Sequence, residues 1–157
     1  MNSKVTPYVF IDTREKLPLR FKPELNVDCG TAKLDAGDYS VRGYSSVFIA
    51  ERKSLSDLVQ TLSHGRERFE SELDLLAQYR WPVILVEANQ TEAEIGAYRS
   101  MMLPHAVTGS LDAIWMRWGV PTFWCGDAAG AARKLAWFAH RLHRKYPELE
   151  EKADVSA

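Results

Sequence analysis

The sequence predicts an α/β protein, a mixed central sheet flanked by helices. Three observations lead there. Short runs of β-branched and aromatic residues meet in a hairpin within the first third of the chain. Helical patterns then alternate with apolar strands, the βαβ habit that gives parallel pairing. Gly, Pro, Asn and Asp punctuate the junctions between them. With 157 residues, 46% of them apolar, the chain can bury one proper core and is too apolar to be disordered.

The elements follow in order. Tyr8 to Asp12 reads as the first strand, and Pro18 and Pro23 break the loop behind it. A second strand is expected near Thr31 to Leu34. Tyr39 to Arg42 and Val47 to Arg52 form the hairpin, connected by Gly43-Tyr44-Ser45-Ser46. Ser54 and Asp57 make a Ser-x-x-Asp helix start, and Leu55, Leu58, Val59 and Leu62 recur at helical spacing. Gly65 ends that helix, and another begins near Arg66 with Phe69, Leu73 and Leu76 on one face. Val83 to Glu87, between Pro82 and Asn89, is a short buried strand. Helices are expected over Thr91 to Ser100 and Val107 to Trp118, and a strand over Thr122 to Cys125. Asp127 caps a last helix that reaches about Tyr146, with Leu135, Phe138 and Leu142 in one stripe beside Ala131 and Ala139. Trp115, Trp118, Trp124 and Trp137 read first as core packing, although five tryptophans leave some for an interface.

Composition limits the setting. No apolar run approaches the roughly 20 residues that span a bilayer, and the N-terminus has no signal-peptide pattern, so no membrane is expected as a partner. Cys29 and Cys125 stand apart from each other and from the four histidines, which excludes a recognisable zinc pattern and makes a reduced, intracellular compartment the default. The net charge of −1 says nothing for a polyanionic ligand. Its distribution says slightly more: Lys4, Arg14, Lys16, Arg20 and Lys22 load the start, and Arg133, Lys134, Arg141, Arg144 and Lys145 load the last helix. Glu148, Glu150, Glu151 and Asp154 make the end acidic, so the expected division is a domain over 1–147 and a flexible acidic tail over 148–157.

The chemistry concentrates in Gly37-Asp38-Tyr39, Glu51-Arg52-Lys53 and Asp57. Along a strand, Val47, Ile49, Glu51 and Lys53 share one face while Phe48, Ala50 and Arg52 take the other. A carboxylate and an ammonium thus project side by side at the end of an apolar strand. That arrangement suits phosphodiester hydrolysis. Asp38 and Glu51 hold a hard divalent cation, and Lys53 orients or helps deprotonate the attacking water. The backbone carbonyl of Arg52 lies between the two side chains and is a further metal-ligand candidate. Asp12 closes the first strand and is followed by Glu15, so both can approach the same ion or support its ligands. Asp57 serves the helix dipole whether or not it touches the site. Arg14, Arg52 and Arg66 are candidates for DNA phosphate, Arg66 and Arg68 because they open a helix whose positive end attracts anions. Plain structural uses compete with each of these: a salt pair for Glu51 and Lys53, turns for Asp38 and Asp12, and a helix–helix turn for His64.

With those motifs in order, the chain resembles the nuclease domain of the XPF-type structure-specific endonucleases, whose pattern is Gly-Asp, then Glu-Arg-Lys, then Asp. Ile11-Asp12-Thr13-Arg14-Glu15 is similar to the family's first strand, Gly65-Arg66 to its glycine-arginine, and Pro82 to Glu87 to the strand after it. The likeness runs over residues 8–145. It implies a restriction-endonuclease-like core and Mg²⁺- or Mn²⁺-dependent cleavage of branched, flapped or nicked DNA near duplex/single-strand junctions, in repair or recombination. It also implies a homodimer or a heterodimer with a related chain. The compartment is then cytoplasm or nucleoid in a prokaryotic or viral setting, and the nucleus in a eukaryotic one. The tandem helix-hairpin-helix domain and helicase that family members carry have no counterpart here. The alternatives are an excised domain or a compact stand-alone version, and Met1 and the acidic end favour the latter as an expectation. The alternative function is a catalytically inactive nuclease-fold scaffold for dimerisation or DNA docking. Degenerate relatives lose acids from the motif, and this chain has kept them all.

Overall fold

The fold is that of a computed structural model, which describes residues 5–152; Lys4 and Asp154, named above for their charge, lie outside them. Six strands form one sheet in the order β2-β1-β3-β4-β5-β6. These are β1 (Tyr8–Asp12), β2 (Asp28–Ala32), β3 (Tyr39–Val41), β4 (Phe48–Lys53), β5 (Trp81–Val86) and β6 (Thr122–Trp124). β3 is antiparallel to both its neighbours, and every other pairing is parallel. The C-terminal ends of β1, β4, β5 and β6 therefore lie along one end of the sheet, together with the beginning of β3. This is the mixed sheet that the alternating pattern predicts.

Strand alternation sorts the apolar residues into two cores. On one face Phe10, Ile49, Ile84 and Val86 pack beneath α1 (Leu55–Ser63), α2 (Arg66–Leu76) and α4 (Pro104–Trp118). On the other, Val9, Ile11, Val41 and Leu85 meet Leu135, Ala139 and Leu142 of α5 (Ala128–Lys145). Leu55, Leu58, Val59 and Leu62, and then Phe69, Leu73 and Leu76, are all buried, as their spacing predicts. Ser54 caps α1 by accepting the Asp57 N–H, and Asp127 caps α5 by accepting that of Gly130.

Several expectations need correction. β2 begins three residues earlier than Thr31, because its Asp-Cys-Gly-Thr-Ala run is an exposed edge without an apolar signal. It is placed by its parallel pairing with β1, and Tyr8 covers Gly30 so closely that its hydroxyl would lie 2.0 Å from a Cβ added there. The helix expected over Thr91 to Ser100 is only α3 (Gln90–Glu94): Gly96, at φ +73°, turns the chain away one residue after the helix's C-cap Ile95. α4 starts at Pro104 rather than Val107, a position where proline's missing N–H costs nothing. Val47 lies before β4 and packs on the α5 face, not beside Ile49. The tryptophans divide: Trp118 and Trp124 pack against the α1/α2/α4 core, whereas Trp115 and Trp137 are 60% and 58% exposed.

The start of the acidic end is docked. Pro147–Leu149 forms a 3₁₀ turn, the Glu151 N–H donates to the Gly43 carbonyl at 2.8 Å, and the Ser46 hydroxyl donates to the Glu151 carboxylate. Among the described residues no helix is long and apolar enough to cross a membrane.

Gly37 is where backbone geometry is tightest next to the candidate site. It has φ +69°, and a Cβ there would lie 2.6 Å from Ile49 Cγ1 and 3.1 Å from the Ala50 carbonyl oxygen. Gly37→Ala is expected to destabilise the fold by at least about 1–2 kcal/mol, the cost of the left-handed conformation alone. Chemical denaturation reads this directly, and an unchanged midpoint would show that the turn is free to relax.

Candidate active site

Two backbone hydrogen bonds assemble the site. The Asp12 N–H donates to the Asp38 carbonyl at 2.8 Å, and the Asp38 N–H donates to the Ala50 carbonyl at 2.9 Å. The ends of β1 and β4 are thereby tied to the start of β3, and Asp12, Asp38 and Glu51 gather at one end of the sheet. The site lies at strand ends in the middle of the sheet, between β1 and β4, not along an edge strand. The Arg52 N–H donates to Asp38 Oδ2 at 2.8 Å and fixes that carboxylate against β4. The Val47 carbonyl accepts from Trp81 of β5 and the Lys53 carbonyl from Glu87 just after it, whereas the Ala50 carbonyl accepts from Asp38. By strand alternation the Arg52 carbonyl faces the Asp38 side.

Glu51 is buried, and its Oε1 lies 3.8 Å from the Lys53 ammonium. Burial pushes both carboxyls upward, Asp38 to about 6 and Glu51 to about 8. For Glu51 the next cause is the Asp38 charge itself, which the Lys53 charge only partly offsets. The two acids resist being ionised together, so near neutral pH the pair retains a proton.

Asp12 behaves differently. Burial raises it, but the Arg14 Nε–H at 2.7 Å, the Leu34 N–H at 2.9 Å and the Arg14 N–H at 3.1 Å outweigh burial and hold it below the ordinary carboxylate value. Both its oxygens accept N–H groups, so Asp12 orders Arg14 and the turn at Leu34, and its remaining lone pairs stay available to an ion. Glu15 stands 3.5 Å from the Arg52 guanidinium, which also pairs with Glu87 and donates to the Leu17 carbonyl and the Tyr39 hydroxyl. Arg52 is thus consumed inside the protein on the face away from Glu51 and Lys53. Arg14 keeps its side chain 71% exposed beside the acids. Asp57 is exposed in the first turn of α1, and among the described residues its carboxylate has neither a hydrogen bond nor an ion pair. Arg66 is exposed and faces Glu70 at 3.8 Å.

The spacing of motifs does not reveal one wall of the site. An open groove of about 620 Å³ runs from Lys53 along α2, past Arg68, Phe69 and Glu72. The Lys53 ammonium stands 5.5 Å from the Phe69 ring centroid, a contact that steadies it over the groove. The only sequence signal for this wall is the three-residue step from Phe69 to Glu72, which puts both on one helix face.

Among the described residues no three Asp, Glu, His or Cys side chains converge tightly enough to hold a metal ion by themselves. Asp38 and Glu51 nevertheless fit a hard divalent cation as a pair. They supply oxygen donors whose mutual repulsion a double positive charge would relieve, with the Arg52 carbonyl as a third oxygen and water completing the shell.

The comparisons with known proteins are consistent with this geometry. The ERCC4 domain model matches residues 11–138. Two solved structures of XPF from Aeropyrum pernix are similar in fold. One matches with a TM-score of 0.69 and 24% identity over 90% of this chain and 67% of that one. The other, a complex with DNA, has a TM-score of 0.68 and 27% identity over 88% of this chain and 66% of that one. This chain thus spans about two-thirds of their length. No curated protein matches the chain.

The carboxyl pair makes stability pH-dependent. Between the ordinary value of 4.5 and about 8, Glu51 keeps in the fold a proton that the unfolded chain has released. Metal-free stability therefore falls as pH rises through that window. Glu51→Gln is expected to flatten the fall and to melt higher than the unsubstituted chain at the alkaline end, by about 3 °C for each kcal/mol relieved. Melting curves in chelator across the window test this, and a stability that rises with pH rejects the buried pair.

Proposed function

The chain belongs to the ERCC4 domain family, and from that premise we propose that it is a divalent-metal-dependent DNA endonuclease, cutting phosphodiester bonds near duplex/single-strand junctions. The observation that carries the proposal is the Asp38–Glu51 pair. A buried carboxylate and a half-buried one beside a lysine are costly to fold, and they become useful when a cation and a phosphate arrive. The structural neighbour solved in complex with DNA supports nucleic acid as the substrate class. A scaffold without chemistry has no use for the repulsion.

In this reading Asp38, Glu51 and the Arg52 carbonyl hold Mg²⁺ or Mn²⁺, whose Lewis acidity stabilises charge developing on the scissile phosphate. Lys53, braced by Phe69 and drawn toward Glu51, orients the attacking water. Asp12 keeps Arg14 at the mouth, where the guanidinium meets a neighbouring phosphate, and Arg68 offers a second contact along the groove. Arg52 and Glu15 act behind the site by bracing β4. Phosphate contacts position DNA without reading bases, so selection comes from shape. A discontinuous duplex bends into a recessed site at a lower deformation cost than an intact one.

A second copy, or a related chain, is proposed to cover the second half of the molecule. β6 is an edge strand, and Trp115, Met116 and Trp137 are exposed on the neighbouring helices. Light scattering at micromolar concentration is expected to give about twice the 17.8 kDa of one chain. A single-chain mass throughout removes the claim.

Asp38→Ala and Glu51→Ala are each expected to abolish cleavage while the fold persists. Lys53→Ala should lower turnover by roughly 10²–10⁴-fold, the range for loss of a positioned proton-handling group, with metal affinity nearly kept. A panel of labelled flap, branched, single-stranded and intact duplex DNAs, with Mg²⁺ and with chelator, tests both chemistry and substrate. Full activity of the acid variants defeats the metal site, and equal rates on flap and linear duplex defeat the junction preference.

A further inference from the structure

We propose that Glu72 is a third acidic positioning residue of this site, setting its affinity for the divalent cation through the cation's water shell. The inference rests on the endonuclease reading above and adds to it a residue from α2 that lies outside every motif. Glu72 follows Phe69 by three residues, so the two share the face of α2 that lines the groove with Lys53. Phe69 is buried and steadies the Lys53 ammonium, which fixes where that face sits relative to the acids. Among the described residues the half-buried Glu72 carboxylate makes no hydrogen bond and no ion pair. The other glutamate on the groove, Glu67, is exposed in the first turn of α2.

The site's charges give the free carboxylate a purpose. Glu72 lines one groove with Lys53, whose ammonium stands 3.8 Å from Glu51 Oε1, so the free carboxylate shares its surroundings with the ammonium and the paired acids. With all three acids ionised against Lys53, the net charge is two negative, matched by one divalent cation. Because no three acidic side chains converge closely enough to ligate one ion directly, Glu72 acts one water further out. Mg²⁺ suits such an arrangement, since it loses its waters reluctantly and is usually held by one or two carboxylates. Outer acceptors of this kind orient bound water and add to affinity without touching the metal.

Calorimetric titration with Mn²⁺ alone tests the inference on the unsubstituted chain and on Glu72→Gln, Glu72→Asp, Glu67→Gln and Glu51→Gln. Glu72→Gln is expected to bind Mn²⁺ about 10-fold more weakly, with an unchanged melting temperature in chelator or a higher one. Glu72→Asp should recover part of the loss, which a merely structural role would not produce, and Glu67→Gln should bind as the unsubstituted chain does. Unchanged Mn²⁺ affinity in Glu72→Gln, with binding lost in Glu51→Gln, overturns the role of Glu72 alone. Absence of Mn²⁺ binding by the unsubstituted chain overturns the endonuclease reading and this inference with it.

Discussion

The backbone of Asp38 is hydrogen-bonded on both sides, accepting from Asp12 on β1 and donating to Ala50 on β4. The rest of the site depends on that bridge. β3 is only three residues long and runs against its neighbours, so one end of the sheet receives the finish of β1, the start of β3 and the finish of β4 together. A β3 parallel to β4 would leave Asp38 at the far end, about six residues or ~20 Å away. Gly37 makes the entry possible, because its left-handed conformation lets the chain turn into β3 directly against Ile49.

Strand alternation then divides labour within Glu51-Arg52-Lys53. Glu51 and Lys53 project to the α2 face, where burial and like charge keep the carboxyls in competition for one proton. Arg52 projects to the other face and is held by Glu87, Glu15, the Leu17 carbonyl and the Tyr39 hydroxyl. Its N–H simultaneously donates to Asp38. The same residue thus braces the strand on one side and orients a carboxylate on the other. A buried guanidinium with several acceptors is more tolerable than one with a single partner, because each added hydrogen bond offsets desolvation. That bracing stiffens β4 where the unfavourable Glu51–Asp38 contact would otherwise push it apart.

Much of this was legible in the residues. The periodicity of Leu55 to Leu62 and of Phe69 to Leu76 identified two helices because their apolar faces are buried against the sheet. The convergence of Asp38 with Glu51 followed from a Gly-Asp turn and an apolar strand ending in charge. What was illegible had physical reasons. β2 is an exposed edge paired with β1, and Tyr8 lying over Gly30 is a tertiary fit with no local pattern. An acid at the end of an apolar strand marks Asp12 as a site residue, but not that its oxygens also accept N–H groups from Leu34, twenty-two residues away, and from Arg14. Alternation gives Arg52 a structural or a phosphate-binding role, but not the partners from three distant segments that engage its guanidinium. Glu72 carried only its three-residue step from Phe69, since one Glu among several on a polar helix is ordinary until the fold brings that helix beside Lys53.

Net charge and function are reconciled at the same place. The chain as a whole carries −1, and DNA binding cannot draw on a general positive field. The proposed active site is itself locally acidic, so a phosphate approaching it without a cation faces Asp38, Glu51 and Glu72 against the single ammonium of Lys53. Arg14 and Arg68 at the margins then attract phosphates while the centre repels them. In the proposed function a bound divalent cation would reverse the centre, cancelling the acids' surplus and favouring the fully ionised pair. In this reading cation and DNA bind with positive coupling, because each relieves a repulsion the other would face alone. The acids that make the site unfavourable to fold are then the same groups that make DNA binding conditional on the metal.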